Sequence, residues 1–397
     1  MLVLRKHPDV IVVGSGITGA ACAEALTRRG LRVAVLDRGP LASGTTACGE
    51  GNLLVSDKPP GPELALAQAS LRRWPRLLAA LADELGPGAA CEYEPKGGLV
   101  VATGPEEAGA LTEFAAAQRA AGVTARALTP AEAADREPGL TPEVRGAVFY
   151  PEDAQLQPVL AATALLAAVR ARGGEVRTGV EAVGVDRTGD RVTGLVTRAG
   201  TIPCGAVVSA CGPWTATFAA AAGAPLPVLP RRGVILVTAP LPPGTVRHKV
   251  YDAGYVGAVG SDDADLRTST VVESTRAGTV LIGSSRQRAG FDDTVRIDVL
   301  RRLARRAAVL FPGLRNVPVM RAYGGFRPYT PDHLPVIGED PRRPGLWHAT
   351  GHEGAGIGLA AATGELLAEL YAGERPHLDP EPFRVDRPGL EEPPCPQ

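Results

Sequence analysis

The N-terminal stretch 10–37 constrains the fold more than any other part of the chain. Val10–Val13 is a short β-branched run, as in a strand that is buried on both faces of a parallel sheet. It leads directly into Gly14–Gly19, with the sequence G-S-G-I-T-G, and then into an apolar helical pattern that Gly30 ends. Arg32–Leu36 has the composition of a second strand. Because two parallel strands joined by a helix form a β-α-β unit, the chain is predicted to begin with one.

Each glycine of this turn has a physical task in nucleotide binding. Gly14 permits a tight turn, Gly16 lets a pyrophosphate approach the backbone, and Gly19 lets the helix pack closely on the strand. Asp37 follows Gly19 by 18 residues, close to the spacing of about 20 at which a carboxylate contacts ribose hydroxyls. The order of elements therefore predicts a dinucleotide site, and the acid argues against a 2′-phosphate and hence against NADP. An ordinary β-α-β unit with glycines for packing is the alternative.

A second glycine-rich region lies near the C-terminus and carries one arginine. Tyr323–Gly338 reads Y-G-G-F-R-P-Y-T-P-D-H-L-P-V-I-G and sets Arg327 at the end of a predicted strand. Further on, Gly351–Gly358 (G-H-E-G-A-G-I-G) opens an alanine-rich helix. Backbone N–H groups at a helix start have no helical partner and can hold an anionic or ring-shaped ligand. This region is thus predicted to bind a planar or anionic molecule beside Arg327.

Bulk properties exclude several classes of protein. The formal net charge of the 397 residues is −1 and no basic tract is present, so nucleic acid is not an expected partner. No apolar run approaches the ~20 residues of a membrane span, and the N-terminus lacks a signal-peptide layout, which predicts a cytoplasmic soluble protein. The six cysteines form no C-x-x-C and no metal-ligand spacing, so we expect free thiols and no metal site.

The order of predicted elements indicates two domains that alternate along the chain. Helical patterns cover residues 63–85, 106–121, 158–172 and 293–310, and strand patterns cover 97–102, 175–178, 183–185, 191–197 and 206–210. The runs at 228–238, 249–259 and 270–282 are alternating or rich in β-forming residues and are separated by turns, unlike the N-terminal half. This pattern suggests a mostly antiparallel sheet. We therefore assign 1–90, 150–222 and 321–373 to the nucleotide-binding domain, 91–149 and 223–320 to a substrate-binding domain, and 374–397 to an irregular proline-rich tail.

Four ordered blocks make the chain similar, over nearly its whole length, to the FAD-dependent D-amino-acid oxidase and glycine oxidase superfamily. The blocks are V-I-V-V-G-S-G-I-T-G-A-A with Asp37, V-V-S-A-C-G-P-W-T at 207–215, G-G-F-R-P-Y-T-P-D-H-L-P-V-I-G, and G-H-E-G-A-G-I-G. Two more, at 50–64 and 278–286, resemble the flavin subunits of D-hydroxyproline dehydrogenase, opine oxidase and hydrogen cyanide synthase. The resemblance implies the fold class α/β + α+β: a discontinuous Rossmann-type FAD-binding domain and a mostly antiparallel β-sheet substrate domain.

The resemblance also implies which positions contact FAD. The loop 44–46 matches the phosphate contact, 210–212 the turn over the pyrophosphate, 351–358 the turn at the isoalloxazine ring, and Val180 the backbone position that meets adenine. The full set is Gly14, Gly16, Ile17, Thr18, Gly19, Asp37, Arg38, Gly44, Thr45, Thr46, Gly51, Asn52, Leu53, Val180, Ala210, Gly212, Trp214, Gly325, Arg327, Gly351, His352, Glu353, Gly354, Gly356 and Ile357. Some relatives hold FAD through a cysteine just before the C-terminal motif. Residues 322–324 here are Ala-Tyr-Gly, so non-covalent FAD is predicted.

In such enzymes the arginine of the G-F-R-P motif pairs with the substrate carboxylate, a role that carries over to Arg327. Its forked guanidinium suits a bidentate contact. The alternative is that Arg327 caps a strand or pairs with an acid such as Asp332. His352 and Glu353 are a candidate acid/base pair, although a hydrogen bond that shapes the turn explains His352 equally well.

Other polar residues are candidates for the substrate pocket. Tyr255 and Glu50 join Arg327 and His352 in the set of catalytic candidates. Tyr251, Tyr329 and His333 are further candidates. The alternative for the tyrosines is a core or rim position, and for His333 it is a position behind the residues that contact the substrate. No side-chain base is required if the amine arrives neutral.

The resemblance implies oxidation of the amine of a D-amino or imino acid, of the D-proline or cis-4-hydroxy-D-proline type, to the imine by hydride transfer to flavin N5. The alternatives are an opine- or glycine-oxidase-type flavin subunit, a tailoring amine oxidase of secondary metabolism, and an FAD-binding electron-transfer subunit without a substrate of its own. The expected partners are a small amine or amino acid and, as in several relatives, electron-transfer subunits of a hetero-oligomer.

Overall fold

The computed structural model describes residues 7–254 and 266–390, and its first sheet is the predicted nucleotide-binding one. Its strands are β1 (Val10–Val13), β2 (Val33–Leu36), β8 (Glu175–Arg177), β12 (Ala206–Ser209), β18 (Val336–Glu339) and β19 (Leu346–Thr350). Their order in the sheet is β18-β19-β12-β1-β2-β8. All neighbours are parallel except β18 and β19. Strands from three distant parts of the chain thus share one sheet, as a discontinuous domain requires.

The second sheet is larger and mostly antiparallel. Its eight strands are β4 (Gly98–Ala102), β5 (Arg126–Leu128), β6 (Gly146–Tyr150), β13 (Leu229–Thr238), β14 (Lys249–Asp252), β15 (Arg267–Ser274), β16 (Val280–Arg286) and β17 (Val319–Tyr329). The order is β17-β13-β16-β15-β14-β4-β6-β5. Among the described strands of this second sheet, only β14 and β4 form a parallel pair. The predicted fold class is therefore confirmed.

Two small sheets complete the strand inventory of the described residues. An antiparallel pair is formed by β3 (Asn52–Leu53) and β7 (Ala154–Gln155). A second antiparallel sheet is formed by β9 (Ala182–Thr188), β10 (Arg191–Thr197) and β11 (Gly200–Pro203). β3 begins two residues after Glu50, so its pairing with β7 holds this part of the chain in place.

The helices of the described residues pack on both faces of the first sheet and against the second sheet. They are α1 (Ile17–Arg28), α2 (Pro62–Leu85), α3 (Pro105–Ala120), α4 (Pro130–Arg136), α5 (Pro158–Ala171), α6 (Thr215–Ala221), α7 (Ile297–Leu310) and α8 (Gly356–Ala372). α1 and α8 pack closely because Gly364 has no side chain: a Cβ there would lie 2.5 Å from the Ala21 carbonyl oxygen. This packing places the glycine turn before α8 beside the one before α1. None of the described helices is long and apolar enough to cross a membrane.

Several element boundaries differ from the sequence prediction. The arginine-rich helix α7 begins at Ile297 rather than at 293. The predicted strand 249–259 is described only to Asp252 as β14, and its remainder extends beyond the described residues. Strand β17 pairs with β13 over its length, so a domain division at 321 cuts through a strand of the second sheet. The short elements β5 and α4 were not predicted, because a few residues carry too little periodicity to stand out.

The C-terminal tail is irregular but packed. Phe383 is buried, and Arg387 donates through Nε to Asp332 at 2.6 Å. The same contact shows that Asp332 is the partner of Arg387, in place of the Arg327–Asp332 pair considered as an alternative from sequence.

Candidate functional site

One long cavity of about 530 Å³ runs from the first sheet to the second. Most residues assigned to FAD or catalysis border it: Gly14, Gly16, Ile17, Thr18, Gly19, Asp37, Arg38, Gly44, Thr45, Thr46, Glu50, Asn52, Val180, Ala210, Gly212, Trp214, Gly325, Arg327, His352, Glu353, Gly354, Gly356 and Ile357. The two glycine-rich regions that the sequence places more than three hundred residues apart therefore line the same space.

The turn between β1 and α1 can adopt its conformation only because Gly14 and Gly19 have no side chains. Gly14 has a φ of +111°, and a Cβ there would overlap the Ala210 carbonyl oxygen. A Cβ on Gly19 would overlap the Gly14 carbonyl oxygen. The strand, the helix and the turn after β12 consequently meet at backbone distance, and a ligand in the cavity can approach the backbone itself.

The start of α1 faces the cavity. The cap residue Gly16 offers no side chain, and the Ile17 N–H donates to Thr46 Oγ1 at 3.0 Å. The first N–H groups of a helix have no partner within it and carry a partial positive charge. Because Gly16, Thr18 and Gly19 border the cavity, this helix start can hold a phosphate there.

Asp37 ends β2 and holds the loops around the nucleotide end together. Its Oδ2 accepts from the Ser15 backbone N–H at 2.7 Å and from the Ser15 hydroxyl at 2.6 Å, and its Oδ1 accepts from the Gly39 N–H at 2.8 Å. The Val180 N–H donates to the Asp37 carbonyl at 2.9 Å. A carboxylate has about four acceptor sites, so these bonds leave capacity for ribose hydroxyls.

An aromatic wall closes the side of the cavity near the phosphate loop. The Arg38 guanidinium lies 4.5 Å from the Trp214 ring centroid, and Trp214 stacks on Phe291 at 5.8 Å. Gly44 faces Trp214, so that loop 44–46 passes directly over the ring. Arg38 and Trp214 thus shape the wall through their contact with each other.

The glycine turn before α8 contains a neutral histidine. His352 is buried, its Nε2 is 2.9 Å from Thr363 Oγ1, and burial lowers its pKa to about 3. An imidazole held neutral and bonded to its own helix favours the turn-shaping hydrogen bond over proton transfer.

Glu353, the next residue, is a charged partner rather than a base. It forms an ion pair with the buried Arg231 and lies 3.0 Å from His333 Nδ1. Burial opposes ionisation, but the hydrogen bond with His333 and the charges of Arg231 and Arg286 prevail and lower the pKa of Glu353. A carboxylate stabilised as the anion is a weak proton acceptor, so the predicted His352–Glu353 dyad is not favoured.

Arg327 projects from β17 into the substrate end of the cavity. Its guanidinium lies directly over Gly233 of β13, where a Cβ would overlap it, and its side chain packs against Gly354. Arg327 Nη1 donates to the Ser285 carbonyl at 2.9 Å. A guanidinium carries five N–H donors in a planar fork, a geometry that suits a bidentate contact to a carboxylate.

Glu50 borders the same end of the cavity as part of a buried charged cluster. Asn52 Nδ2 donates to Glu50 Oε2 at 3.0 Å, and Lys249 Nζ is 3.7 Å from the same oxygen. Lys249 also donates to Asn52 Oδ1 and, at 3.0 Å, to the fully buried Glu273. Burial raises the pKa of Glu273. Asn52, assigned to FAD from sequence, thus also positions Glu50.

Several predicted residues lie elsewhere. Gly51, Leu53 and Gly351 do not border the cavity: the first two belong to the β3 region packed on Leu156 and the core, and the third packs on Thr330. Tyr255 lies outside the described residues.

The other tyrosines proposed for the pocket are core residues. The Tyr251 hydroxyl bonds to Ser56 in the interior, and the Tyr329 hydroxyl accepts from Arg288. Neither side chain borders the cavity, so the core alternative holds for both. His333 is absent from the lining as well, and its Nδ1 lies 3.0 Å from Glu353, which does border the cavity.

The structure adds lining residues that the sequence reading did not assign. Near Glu50 and Arg327 they include Cys48, Gly233, Ile235, Ser284 and Arg286. All but Cys48 lie on β13 and β16, where an alternating pattern shows that a strand has two faces but not which face meets a ligand. Gly233 and Gly283 were the available signal, because glycine inside a strand often marks a close approach.

The lining fits FAD. The helix start at Gly16 suits a pyrophosphate, the Asp37 carboxylate suits ribose hydroxyls, and the cavity continues from there to the Gly354 turn and Arg327. The overlap of a Cβ at Gly14 with Ala210 shows that this end leaves no room for a side chain. No cluster of His, Cys, Asp and Glu suited to a metal ion occurs within residues 7–254 and 266–390.

Comparison with known proteins gives consistent results. The family model described as DAO, FAD dependent oxidoreductase, matches residues 9–370. Glycine oxidase of Geobacillus kaustophilus is 32% identical over 387 residues, covering 96% of this chain and 97% of the relative. Hydrogen cyanide synthase subunit HcnC of Pseudomonas aeruginosa is 28% identical, with 97% of each chain covered. L-proline dehydrogenase from P. horikoshii superposes with a TM-score of 0.85 at 26% identity, covering 96% of this chain and 98% of that one. The chain belongs to the DAO family of FAD-dependent oxidoreductases, and it is an enzyme whose cofactor is FAD.

Proposed function

We propose that this FAD-dependent oxidoreductase oxidises the amine of a carboxylate-bearing substrate, a D-amino or imino acid of the D-proline or cis-4-hydroxy-D-proline type. The observation that carries the proposal is the Arg327 guanidinium, which lies over Gly233 at the end of the FAD cavity. A guanidinium there selects for an anion, and its fork matches a carboxylate bidentately.

The chain's own contribution is binding and orientation. When bound, FAD supplies the two-electron oxidation, and the protein supplies the position of the substrate. Arg327 is itself fixed by the Ser285 carbonyl at 2.9 Å and by packing on Gly354, so it needs little reorganisation on binding. Above Gly233 and Gly325, which lack side chains, lie the Arg327 guanidinium and Cys48, so the two glycines make room for these groups at the cavity.

A compact secondary amine is the substrate class that we favour. The P. horikoshii neighbour is named for L-proline, and this chain shares 26% identity with it over almost the full length. The D configuration and the 4-hydroxyl rest on the sequence resemblance at 50–64 and 278–286.

A panel of amino acids mixed anaerobically with the holoenzyme tests the proposal. Bleaching of the flavin absorbance by D-proline or cis-4-hydroxy-D-proline, with their L enantiomers and glycine bleaching at least tenfold more slowly, is the expected result. Bleaching by none of the amino acids would overturn it and would favour an electron-transfer subunit. Repeating the productive reaction with oxygen distinguishes an oxidase from a dehydrogenase.

Glycine is the second candidate substrate. It is favoured by the relative from Geobacillus kaustophilus, which is named glycine oxidase and is 32% identical over 96% of this chain. Faster bleaching by glycine than by any cyclic imino acid would move the assignment to this candidate.

Association with other subunits is the proposed partner relation. It is supported by the relative from Pseudomonas aeruginosa, which is named as a subunit. Slow reoxidation of the reduced flavin by oxygen, together with fast reoxidation by an artificial electron acceptor, is the behaviour expected of a chain that passes electrons to a partner. Fast reoxidation by oxygen alone would contradict it.

A further inference from the structure

Two buried polar atoms at the substrate end of the cavity lack a partner within the described parts of the chain. They are Glu50 Oε1 and Ser284 Oγ, and both residues border the cavity. The Glu50 side chain is only 7% exposed. A buried polar atom without a partner costs free energy, and such atoms in an enzyme cavity point to a ligand group that completes them.

The charges of the cluster point to a cation as that group. Glu50 and Glu273 are both buried, and Lys249 is the fully buried ammonium between them. Lys249 lies closer to Glu273, at 3.0 Å, than to Glu50, at 3.7 Å. Lys96 also acts on Glu273, but it is bonded to the Ser274 carbonyl and lies 3.5 Å from Glu94. The remaining face of Glu50 is therefore negative toward the cavity.

The sheet beneath the cavity sets the spacing between Glu50 and Arg327. Glu50 Oε1 lies where a Cβ of Gly283 would be, and the Arg327 guanidinium lies where a Cβ of Gly233 would be. The register pairs Leu236 with Ile282, and continuing it by one residue sets Gly283 opposite Ile235. The Glu50 carboxylate and the Arg327 guanidinium are therefore separated by two residues along the strand direction and by one interstrand spacing, which is roughly 8 Å.

An α-amino acid matches this spacing. Its carboxylate oxygen and amine nitrogen are roughly 3 Å apart, and a charge-assisted hydrogen bond of about 2.8 Å at each end gives a total span of roughly 8–9 Å. A carboxylate on Arg327 thus brings the amine within reach of Glu50 Oε1 and Ser284 Oγ.

We propose that Glu50 and Ser284 bind the substrate amine and that Glu50 accepts its proton. In this step one N–H bond of the ammonium breaks and an O–H bond forms on Glu50 Oε1, which leaves a neutral amine and a neutral carboxylic acid. Only the neutral amine has the lone pair that assists oxidation of the adjacent C–H bond. The assignment rests on the proposed function, whose redox step it leaves unchanged.

The test uses the holoenzyme and the Glu50→Gln variant with the amino acid that bleaches the flavin fastest. At pH 7 we expect kcat/KM to fall about 100-fold. It should then recover about tenfold per pH unit as the free amine becomes abundant, whereas the wild-type profile stays flatter. Glu50→Asp keeps the charge and should retain the wild-type profile with a raised KM. An unchanged kcat/KM and pH profile in Glu50→Gln overturns the assignment.

Two ligands that each carry one of the charges separate Glu50 from Arg327. Cyclopentanecarboxylate should bind Glu50→Gln at least as tightly as wild type and bind Arg327→Ala at least 30-fold more weakly, as measured by titration calorimetry. Pyrrolidine should show the reverse order. Equal weakening of both ligands by Glu50→Gln would mean a structural role and overturn the assignment.

Glu273→Gln is the matched control. It removes the same charge from the same cluster, but Glu273 does not border the cavity, so its effect on kcat/KM should stay within tenfold. If Glu273→Gln lowered kcat/KM as much as Glu50→Gln, the effect would come from disturbing the charged cluster. That result would contradict a direct contact between Glu50 and the substrate amine. Failure of the proposed function looks different: the wild-type flavin is then reduced by no amino acid at all.

Discussion

The nucleotide end and the substrate end of the cavity are built in different ways. At the nucleotide end, backbone groups from one continuous turn, Gly14–Gly19, line the space, and side chains mainly hold that turn in place. At the substrate end, charged side chains from distant segments, Glu50 and Arg327, lie over bare glycines of a sheet. We therefore expect the shape of the backbone to hold the dinucleotide and a few side chains to determine the choice of substrate. The nucleotide end should therefore tolerate few substitutions, whereas side chains at the substrate end can be replaced one at a time.

The largest effect should follow from adding a side chain at the nucleotide end. Gly14→Ala would force a Cβ into the Ala210 carbonyl oxygen at a φ of +111°. Strain and steric overlap together cost about 3 kcal/mol or more. We expect FAD content below a tenth of wild type, measured by absorbance per chain after desalting.

The matched control for this substitution is Gly109→Ala on the exposed side of α3, where an added Cβ meets nothing within 4 Å. It should bind FAD fully and change stability by no more than about 1 kcal/mol. Full FAD content in Gly14→Ala would show that the backbone turn is not what holds the nucleotide.

A smaller but selective effect should follow at the substrate end. Arg327→Ala removes two charge-assisted hydrogen bonds to the carboxylate, worth about 4 kcal/mol together, so kcat/KM should fall about 10³-fold while FAD is retained. Arg327→Lys should recover only part of this loss, because lysine lacks the fork.

Arg321→Ala, on the exposed part of the same strand, is the control and should leave kcat/KM unchanged. Loss of FAD from Arg327→Ala, or kinetics equal to wild type, would remove the distinction between the two ends.

The same contrast explains what could be predicted from the sequence. The turn Gly14–Gly19 and the acid Asp37 could be predicted from local spacing, because the strand, the turn, the helix and the acid follow one another along the chain. The contact of Gly14 with the Ala210 carbonyl, which comes from a distant segment, could not. The discontinuous domain was likewise inferred from the order of strands, and β1, β2, β12 and β19 indeed share a sheet.

The substrate end was less accessible to such reasoning. The Glu50–Lys249–Glu273 cluster joins three segments through side chains, and no spacing along the chain brings them together. Tyr251 and Tyr329 show a case in which the sequence left the pocket and the core both open. A tyrosine in a strand can face either a pocket or the core. Here Tyr251 is directed toward Ser56 and Tyr329 toward Arg288. Which face of a strand meets a ligand is decided by tertiary packing.

The turn before α8 lies between the two ends, and its histidine predicts a pH effect on stability. The pKa of His352 is about 3 in the folded protein against an ordinary value of 6.5, so the unfolded chain binds a proton that the folded chain excludes. Its contribution is therefore intact above pH 6.5 and is lost progressively as the pH falls toward 3. Between pH 7 and pH 5 the loss should be about 2 kcal/mol.

His352→Gln keeps a hydrogen-bonding group near Thr363 but cannot titrate. Its free energy of unfolding, measured with denaturant at both pH values, should fall by about 2 kcal/mol less than that of wild type over this interval. An identical pH dependence of the two proteins would mean that His352 is protonated at pH 5, and a proton-transfer role would return to consideration.

The smallest effect should come from Thr46, which contributes one hydrogen bond to the nucleotide end. Thr46→Val preserves shape but leaves the Ile17 N–H without its acceptor at 3.0 Å, at a cost of about 1 kcal/mol. The expected result is a several-fold weaker FAD affinity in titrations of the apoprotein, with no change in KM for the substrate. Thr112→Val removes an exposed hydroxyl from α3 and should change neither quantity. A raised KM in Thr46→Val would contradict the separation of the two ends. A modest loss confined to FAD would instead show that this one side-chain hydrogen bond only supports a nucleotide end held mainly by its backbone, whereas the substrate end depends on a few charges.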